Sequence, residues 1–176
     1  MSMTHVETRH FVLKDRLLDD FFLVQLEALD NSFFPNPWSH RAWEDFVKNP
    51  SNYYLVLALA EGRQTGGEVF PHDSAEGEVL VGYSLFLLSE PESLAHLLKI
   101  VVRPSWRQMG LGKRMIHEGI QTLLGKEFER IFLEVEENNI DAVNLYQTLG
   151  FRRLHYSKHF YGPGRHAVIM DNKIKP

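Results

Sequence analysis

Ile100-Val101-Val102-Arg103-Pro104-Ser105-Trp106-Arg107-Gln108-Met109-Gly110-Leu111-Gly112-Lys113-Arg114-Met115-Ile116 reads as an apolar strand, a short turn and the start of an amphipathic helix. The strand is expected over His96 to Val102, where Leu97, Leu98, Ile100, Val101 and Val102 make a nearly continuous apolar run. Pro104 cannot donate to a ladder and biases Arg103 to an extended shape, so the strand should stop there. Beyond it, Leu111, Met115, Ile116, Ile120, Leu123 and Leu124 recur at helical spacing. Between the two lie Gly110 and Gly112. Glycine lets backbone N–H groups approach a ligand with no Cβ in the way. A helix start adds unpaired N–H groups and a positive dipole end, and Lys113 and Arg114 add charge at the same place. This is a cradle suited to pyrophosphate. The same glycines would serve equally to let the helix pack closely on a sheet.

Two familiar phosphate loops are excluded. No stretch has the Walker spacing, and the dinucleotide fingerprint needs a third glycine where Met115 stands. With 176 residues the chain is long enough for one domain with a substantial core. Hydrophobic residues at 44% and charged residues at 24% describe an ordinary globular protein. A net charge of −4 provides no general drive toward nucleic acid or an anionic membrane. The absence of cysteine excludes disulfides, thiolate metal sites and a cysteine nucleophile. The polar N-terminal segment shows no signal peptide, and no apolar run approaches the roughly 20 residues of a membrane helix. A cytoplasmic protein is therefore expected.

Along the chain, Val6 to Leu13 suits an edge strand and Leu17 to Leu29 a helix. Asn31-Ser32-Phe33-Phe34-Pro35-Asn36-Pro37-Trp38 reads as a loop. Ser39 is a good N-cap for a short helix to about Lys48. Phe33, Phe34 and Trp38 are placed either to line a binding site or to plug the loop onto the core. Tyr53–Ala60 and Val79–Leu88 read as buried strands. The connector between them, Glu61 to Glu78, is long, acidic and glycine-containing. After the central helix, Gly125 is a stop signal and Arg130 to Glu136 forms a strand. Asn139 or Asp141 can cap a helix to Leu149, and Gly150 is a left-handed stop. Phe151–Phe160 and His166–Ile174 read as two closing strands around the turn 161–164. Strands and helices alternate only in the second half, so a mixed sheet follows.

Ile131, Leu133 and Val135 share one face of their strand, and Phe132, Glu134 and Glu136 share the other. A carboxylate in the middle of a strand, as Glu134 is, either faces solvent or is placed at a site. Tyr146, taken by itself, reads as a core aromatic with a satisfied hydroxyl. A metal reading fails for the nine histidines. His155 and His159, four apart in a strand, would stand about 13 Å from each other. Serine hydrolase chemistry lacks its nucleophile elbow.

Arg107-Gln108-Met109-Gly110-Leu111-Gly112 resembles the Gln/Arg-x-x-Gly-x-Gly/Ala motif of the GNAT family of N-acetyltransferases. Asn139-Ile140-Asp141-Ala142-Val143-Asn144-Leu145-Tyr146-Gln147-Thr148-Leu149-Gly150-Phe151 resembles the family's Asn-x-x-Ala-x-x-Leu-Tyr-x-x-x-Gly-Phe signature. The resemblance covers about residues 35 to 170. Within the family the chain is most similar to bacterial ribosomal-protein N-terminal-alanine acetyltransferases, through Pro37-Trp38-Ser39, Leu133-Glu134-Val135 and Phe160-Tyr161 before Ala167-Val168-Ile169-Met170. Asn36 stands where that group has Phe, and Arg165-His166 where it often has an acidic pair.

The resemblance implies an α/β fold in one N-acetyltransferase domain over 1–176. Its central sheet would be mixed and mostly antiparallel, with about seven strands flanked by helices. It implies acetyl-CoA as cosubstrate and no metal. Acetyl-CoA would be held by Ile100, Val101, Val102, Arg107, Gln108, Met109, Gly110, Leu111, Gly112, Lys113, Asn139 and Thr148. The loop would hold the pyrophosphate, the strand edge would pair with pantetheine, and Asn139 would contact the pantetheine region. Glu134 would be the general base and Tyr146 the general acid. A backbone N–H near Val102 would steady the oxyanion. Trp38, Phe34 and Tyr161 would meet the acceptor. That acceptor is expected to be a primary amine, foremost the N-terminal α-amine of a ribosomal protein. A small-molecule amine is the alternative, and a non-catalytic acyl-CoA sensor a more distant one. No direct nucleic-acid or membrane partner is expected, and the chain would act as a monomer or homodimer.

Overall fold

A computed structural model of the chain describes residues 6–11, 20–61 and 78–175. The first expected helix residues, 17–19, and the acidic connector over 62–77 lie outside the described residues. Among the described residues, seven strands and four α-helices follow one another as β1 (Val6–Phe11), α1 (Asp20–Phe33), α2 (His40–Lys48), β2 (Tyr53–Glu61), β3 (Glu78–Ser89), β4 (Leu94–Val102), α3 (Leu111–Gly125), β5 (Arg130–Glu136), α4 (Ile140–Thr148), β6 (Arg152–Ser157) and β7 (Ala167–Lys173). The hydrogen-bonded strand order is β1-β2-β3-β4-β5-β7-β6 in a seven-stranded sheet. β4 and β5 are parallel, whereas β1/β2, β5/β7 and β6/β7 are antiparallel. The expected mixed α/β sheet is therefore present.

The chain divides into two compact units, one formed by residues up to Leu85 with Lys99–Met115, the other by Phe86–Leu98 with Ile116 onward. In the first unit β1 runs along β2 with Val6 opposite Ala60. Tyr54 to Ala60 are buried without interruption, as a strand covered on both faces requires. Ser39 caps α2 by accepting from Ala42 N at 3.2 Å, and the helix lays Trp43 and Phe46 into the core. α1 continues to Phe33, so Asn31, Ser32 and Phe33 are helical and the expected loop shortens to 34–39. Ser32 Oγ donating to Ala28 O at 2.7 Å satisfies its hydroxyl inside the helix.

β4 departs from the expected uniform apolar run. It begins at Leu94 and alternates, with Ala95, Leu97, Lys99 and Val101 buried. Four of its seven apolar residues are only half-buried, and a lysine takes a core position. Gly82 on β3 explains how closely β3 approaches this strand. A Cβ there would stand 2.7 Å from Val101 O, a backbone atom that cannot yield without moving β4. Gly82→Ala is expected to destabilise the protein by about 1–3 kcal/mol, read as a lower midpoint in urea unfolding. An unchanged midpoint would mean that the strand pair relaxes freely.

In the second unit β5 carries Ile131, Leu133 and Val135 inward and Phe132, Glu134 and Glu136 on the half-exposed face, as the alternation predicts. α3 and α4 contribute Ile116, Leu123, Val143 and Tyr146 to the core. Asn139 is the cap of α4, accepting from Ala142 N at 3.2 Å. Gly150 has φ +91° and ends that helix; Phe151 N donates back to Tyr146 O at 3.0 Å. β6 stops at Ser157, three residues short of the expected strand, because the chain turns at 158–161. β7 lies between β5 and β6, with Leu133 opposite Met170 and Glu134 opposite Ile169.

Candidate active site

The first unit carries the loop that leaves β4. Arg103 N donates to Val81 O at 2.8 Å, which holds the end of β4 against β3. A short 3₁₀ turn, Pro104–Trp106, follows and buries Trp106. Arg107 Nε then donates to Val102 O at 2.9 Å, and its guanidinium lies 5.7 Å from the Phe33 ring. Gln108 and Gly110 both adopt left-handed backbone, at φ +61° and +78°. Glycine takes this conformation freely, but Gln108 holds it at a cost of roughly 1–2 kcal/mol. Such strain persists where the surroundings over-determine the backbone, commonly at ligand sites. Leu111 anchors the loop by burial, while Met109 is 56% exposed. Arg114 N donates to Gly110 O at 3.0 Å, so the N–H groups of Leu111, Gly112 and Lys113 precede the first bond of the helix. Gly112 sits in the first turn of α3. Lys113 and Arg114 are exposed beside these donors. The arrangement can hold an anion by backbone N–H groups, dipole and charge together. Val101 is buried, and Ile100 and Val102 are half-buried on the other face of β4.

The second unit carries the groups that can move protons. Glu134, in the middle of β5, keeps only 18% of its side chain exposed. His96 Nε2 lies 2.6 Å from Glu134 Oε2. An ionised carboxylate only accepts, so Nε2–H is the donor. The His96 ring stacks on Phe132, its register partner across the parallel pair, at 4.1 Å and 16°. A carboxylate oriented by a fixed imidazole is suited to taking a proton. Tyr146 is buried on α4 with its ring 5.8 Å from Phe151. Burial, with the nearby Tyr161 adding to it, holds its pKa well above the ordinary tyrosine range, so it keeps its proton at neutral pH. The Tyr161 pKa is pushed up to about 12, first by burial and then by the carboxylates of Glu134 and Glu136, with Arg165 opposing. Arg165 grips Glu136 through Nε at 2.8 Å and Nη2 at 2.7 Å. Its hydrogen bonds hold the Glu136 carboxyl below the usual carboxylate range.

Glu134, Tyr146 and Tyr161 therefore belong to one electrostatic neighbourhood. Asn139 and Thr148 are both exposed on α4 and already bonded locally; Thr148 Oγ1 donates to Leu145 O at 2.7 Å. Asn139 retains its amide donors and Thr148 its lone pairs for a ligand. Phe34 and Trp38, in the first unit, turn their rings toward Lys99 Nζ, at 4.4 and 5.3 Å from the centroids. They are half-buried and serve as plugs for the loop whatever else they meet. Sequence reasoning missed His96 as the partner of Glu134, Arg165 as the partner of Glu136, and the buried Lys99. Each pairing joins residues far apart in the chain. The one available signal was a charged or titratable residue in an otherwise apolar strand, present at both His96 and Lys99. Among the described residues, no group of three or more His, Asp or Glu could hold a metal ion. No helix among them is long and apolar enough to cross a membrane.

Residues 23–151 match the family model described as Acetyltransferase (GNAT) family. An N-alpha-acetyltransferase of Sulfurisphaera tokodaii is 32% identical over 78 residues, 43% of this chain and 46% of that protein. A putative [ribosomal protein bS18]-alanine N-acetyltransferase of Bacillus subtilis is 25% identical over 168 residues, covering 94% of this chain and 96% of that one. The crystal structure of the ribosomal-protein-S18-alanine N-acetyltransferase from Escherichia coli superposes with a TM-score of 0.73 at 18% identity, covering 98% of this chain and 96% of that one.

Proposed function

This chain belongs to the acetyltransferase (GNAT) family, and from that premise we propose that it is an acetyl-CoA-dependent N-acetyltransferase acting on the α-amine of a protein N-terminus, alanine foremost. The observation that carries the reading is the half-buried Glu134 carboxylate, held by His96 at 2.6 Å. Relatives named N-alpha-acetyltransferase and [ribosomal protein bS18]-alanine N-acetyltransferase support the choice of acceptor. The family match runs from residue 23 to 151, which supports reading 1–176 as one catalytic domain.

The roles of the residues follow from their chemistry. Backbone N–H groups from Gln108 to Lys113 hold the pyrophosphate of acetyl-CoA. The edge at Ile100, Val101 and Val102 pairs with pantetheine as an added strand would, and Asn139 and Thr148 bind from α4. Glu134 takes a proton from the acceptor ammonium, and the freed amine attacks the thioester carbonyl. The new C–N bond forms, the C–S bond breaks, and Tyr146 gives its proton to the departing thiolate. The attacking nitrogen loses its second proton to solvent as the amide forms, and solvent returns a proton to Tyr146 and removes one from Glu134, so ammonium and thioester become amide, the CoA thiol and one released proton. No covalent enzyme intermediate is required. Tyr161, Phe34 and Trp38 border the acceptor.

CoA release from acetyl-CoA, measured with peptides bearing a free N-terminal alanine beside a panel of small amines, tests the reading. Turnover confined to peptides is expected. Turnover confined to small amines would keep the chemistry and overturn the acceptor. Tight acetyl-CoA binding without turnover on either would overturn the enzymatic reading.

A further inference from the structure

A buried ion pair stands beneath the 34–38 segment, and the proton transfers do not use it. Asp30 is fully buried near the end of α1, and Lys99 in the middle of β4 is 6% exposed. Lys99 Nζ donates to Asp30 Oδ1 at 2.6 Å. The Tyr83 hydroxyl donates to the same oxygen at 3.0 Å. Asp30 Oδ2 accepts the Trp38 backbone N–H at 2.5 Å. The Lys99 ammonium also lies over the Phe34 and Trp38 rings, 4.4 and 5.3 Å from their centroids. Phe34 N donates to Asp30 O at 3.0 Å. Pro35, Asn36 and Pro37, between these two attachments, are exposed. The segment is thus an arch with both feet on one ion pair. The Phe34 foot is fastened by a backbone bond and a ring contact, the Trp38 foot by a backbone N–H and a second ring contact.

Charge in this place is not explained by stability. Desolvating an ammonium and a carboxylate costs much of what their attraction returns, and apolar residues of similar volume would often do as well. What the pair supplies is direction: one conformation of the arch satisfies the carboxylate, the ammonium, the Tyr83 hydroxyl and the Trp38 N–H together. We propose that Lys99 and Asp30 are positioning residues that set the arch Pro35-Asn36-Pro37 for the acceptor and leave acetyl-CoA binding untouched. This rests on the reading above, in which the segment borders the acceptor.

Hydrogen exchange read by mass spectrometry over residues 31–39, together with separate KM values for peptide and acetyl-CoA, tests it. Lys99→Met keeps length and bulk but removes the ammonium. Losing an anchor of this kind is worth about tenfold. Exchange in the segment is therefore expected to quicken about tenfold and the peptide KM to rise about tenfold, with the acetyl-CoA KM within about twofold. Unchanged exchange, or both KM values rising together, would overturn the proposal. Should Lys99→Met fail to fold, Lys99→Met/Asp30→Asn removes the stranded carboxylate while keeping an oxygen for the Trp38 N–H. That variant is expected to exchange faster than the parent and to keep a raised peptide KM, because the rings have lost their cation. Parental values in it would overturn the role of Lys99. If the parent turns over no peptide, exchange still decides the positioning claim, and the failure lies with the acceptor reading.

Discussion

Glu134→Gln is expected to lower kcat about 100-fold or more, the usual contribution of a positioned base, with little change in acetyl-CoA binding. The substitution is nearly isosteric. The glutamine carbonyl can still accept from His96 Nε2–H, which now reaches Glu134 Oε2 at 2.6 Å, so the packing on β5 survives. Only the capacity to accept a proton from the acceptor ammonium is lost. The rate–pH profile should therefore change shape as well as fall in height. The surviving rate would track the fraction of peptide that solution chemistry leaves as free amine. Steady-state rates across pH, with near-ultraviolet circular dichroism to verify packing, decide the matter. A variant with parental rate and parental pH profile would remove Glu134 from the mechanism and return it to the solvated strand residue that its position alone permits.

The second large effect belongs to Tyr146. Tyr146→Phe should reduce kcat about 100-fold while the acetyl-CoA Kd stays within about twofold, because the ring remains packed against Phe151 and only the proton donor goes. Equal turnover would exclude Tyr146 as the acid. Its environment also predicts a pH signature. Burial, and then Tyr161, raise the Tyr146 pKa above the ordinary tyrosine value. A raised folded-state pKa means that the protonated form is favoured by folding. The resulting stability is fully present below the unfolded tyrosine value near ~10 and is lost as pH rises through the folded value. Tyr161, pushed up to about 12, acts in the same direction. The parent should therefore lose stability on alkaline titration, and Tyr146→Phe should lose less of it over the same range. Urea midpoints collected from neutral to strongly alkaline pH would show this, and parallel curves for the two proteins would contradict it.

The family membership and the order of elements were legible along the chain because their signals are local. The spacing of Gly110 and Gly112 after the strand, the period-two alternation of Ile131, Leu133 and Val135, and the cap Asn139 with the stop Gly150 each depend on neighbours a few residues away. The structure has β5 at Arg130–Glu136, α4 capped by Asn139, and Gly150 in left-handed backbone. Boundaries were less legible where two local preferences compete. α1 runs to Phe33 because Ser32 finds a carbonyl within the helix, and β6 stops at Ser157 because the chain turns before Phe160.

What only the tertiary structure decided is which distant groups share a charge or a proton. In sequence, His96 is one titratable residue in an apolar run; the parallel pairing of β4 with β5 brings it to Glu134. Lys99 would break the apolar pattern of any strand read alone; α1 brings Asp30 to it, and Phe34 and Trp38 close over its ammonium. Arg165 reaches Glu136 only because β7 lies against β5. Secondary structure follows from interactions within a few residues, whereas desolvation and pairing of charge depend on what the fold places within about 4 Å, which spacing along the chain does not encode.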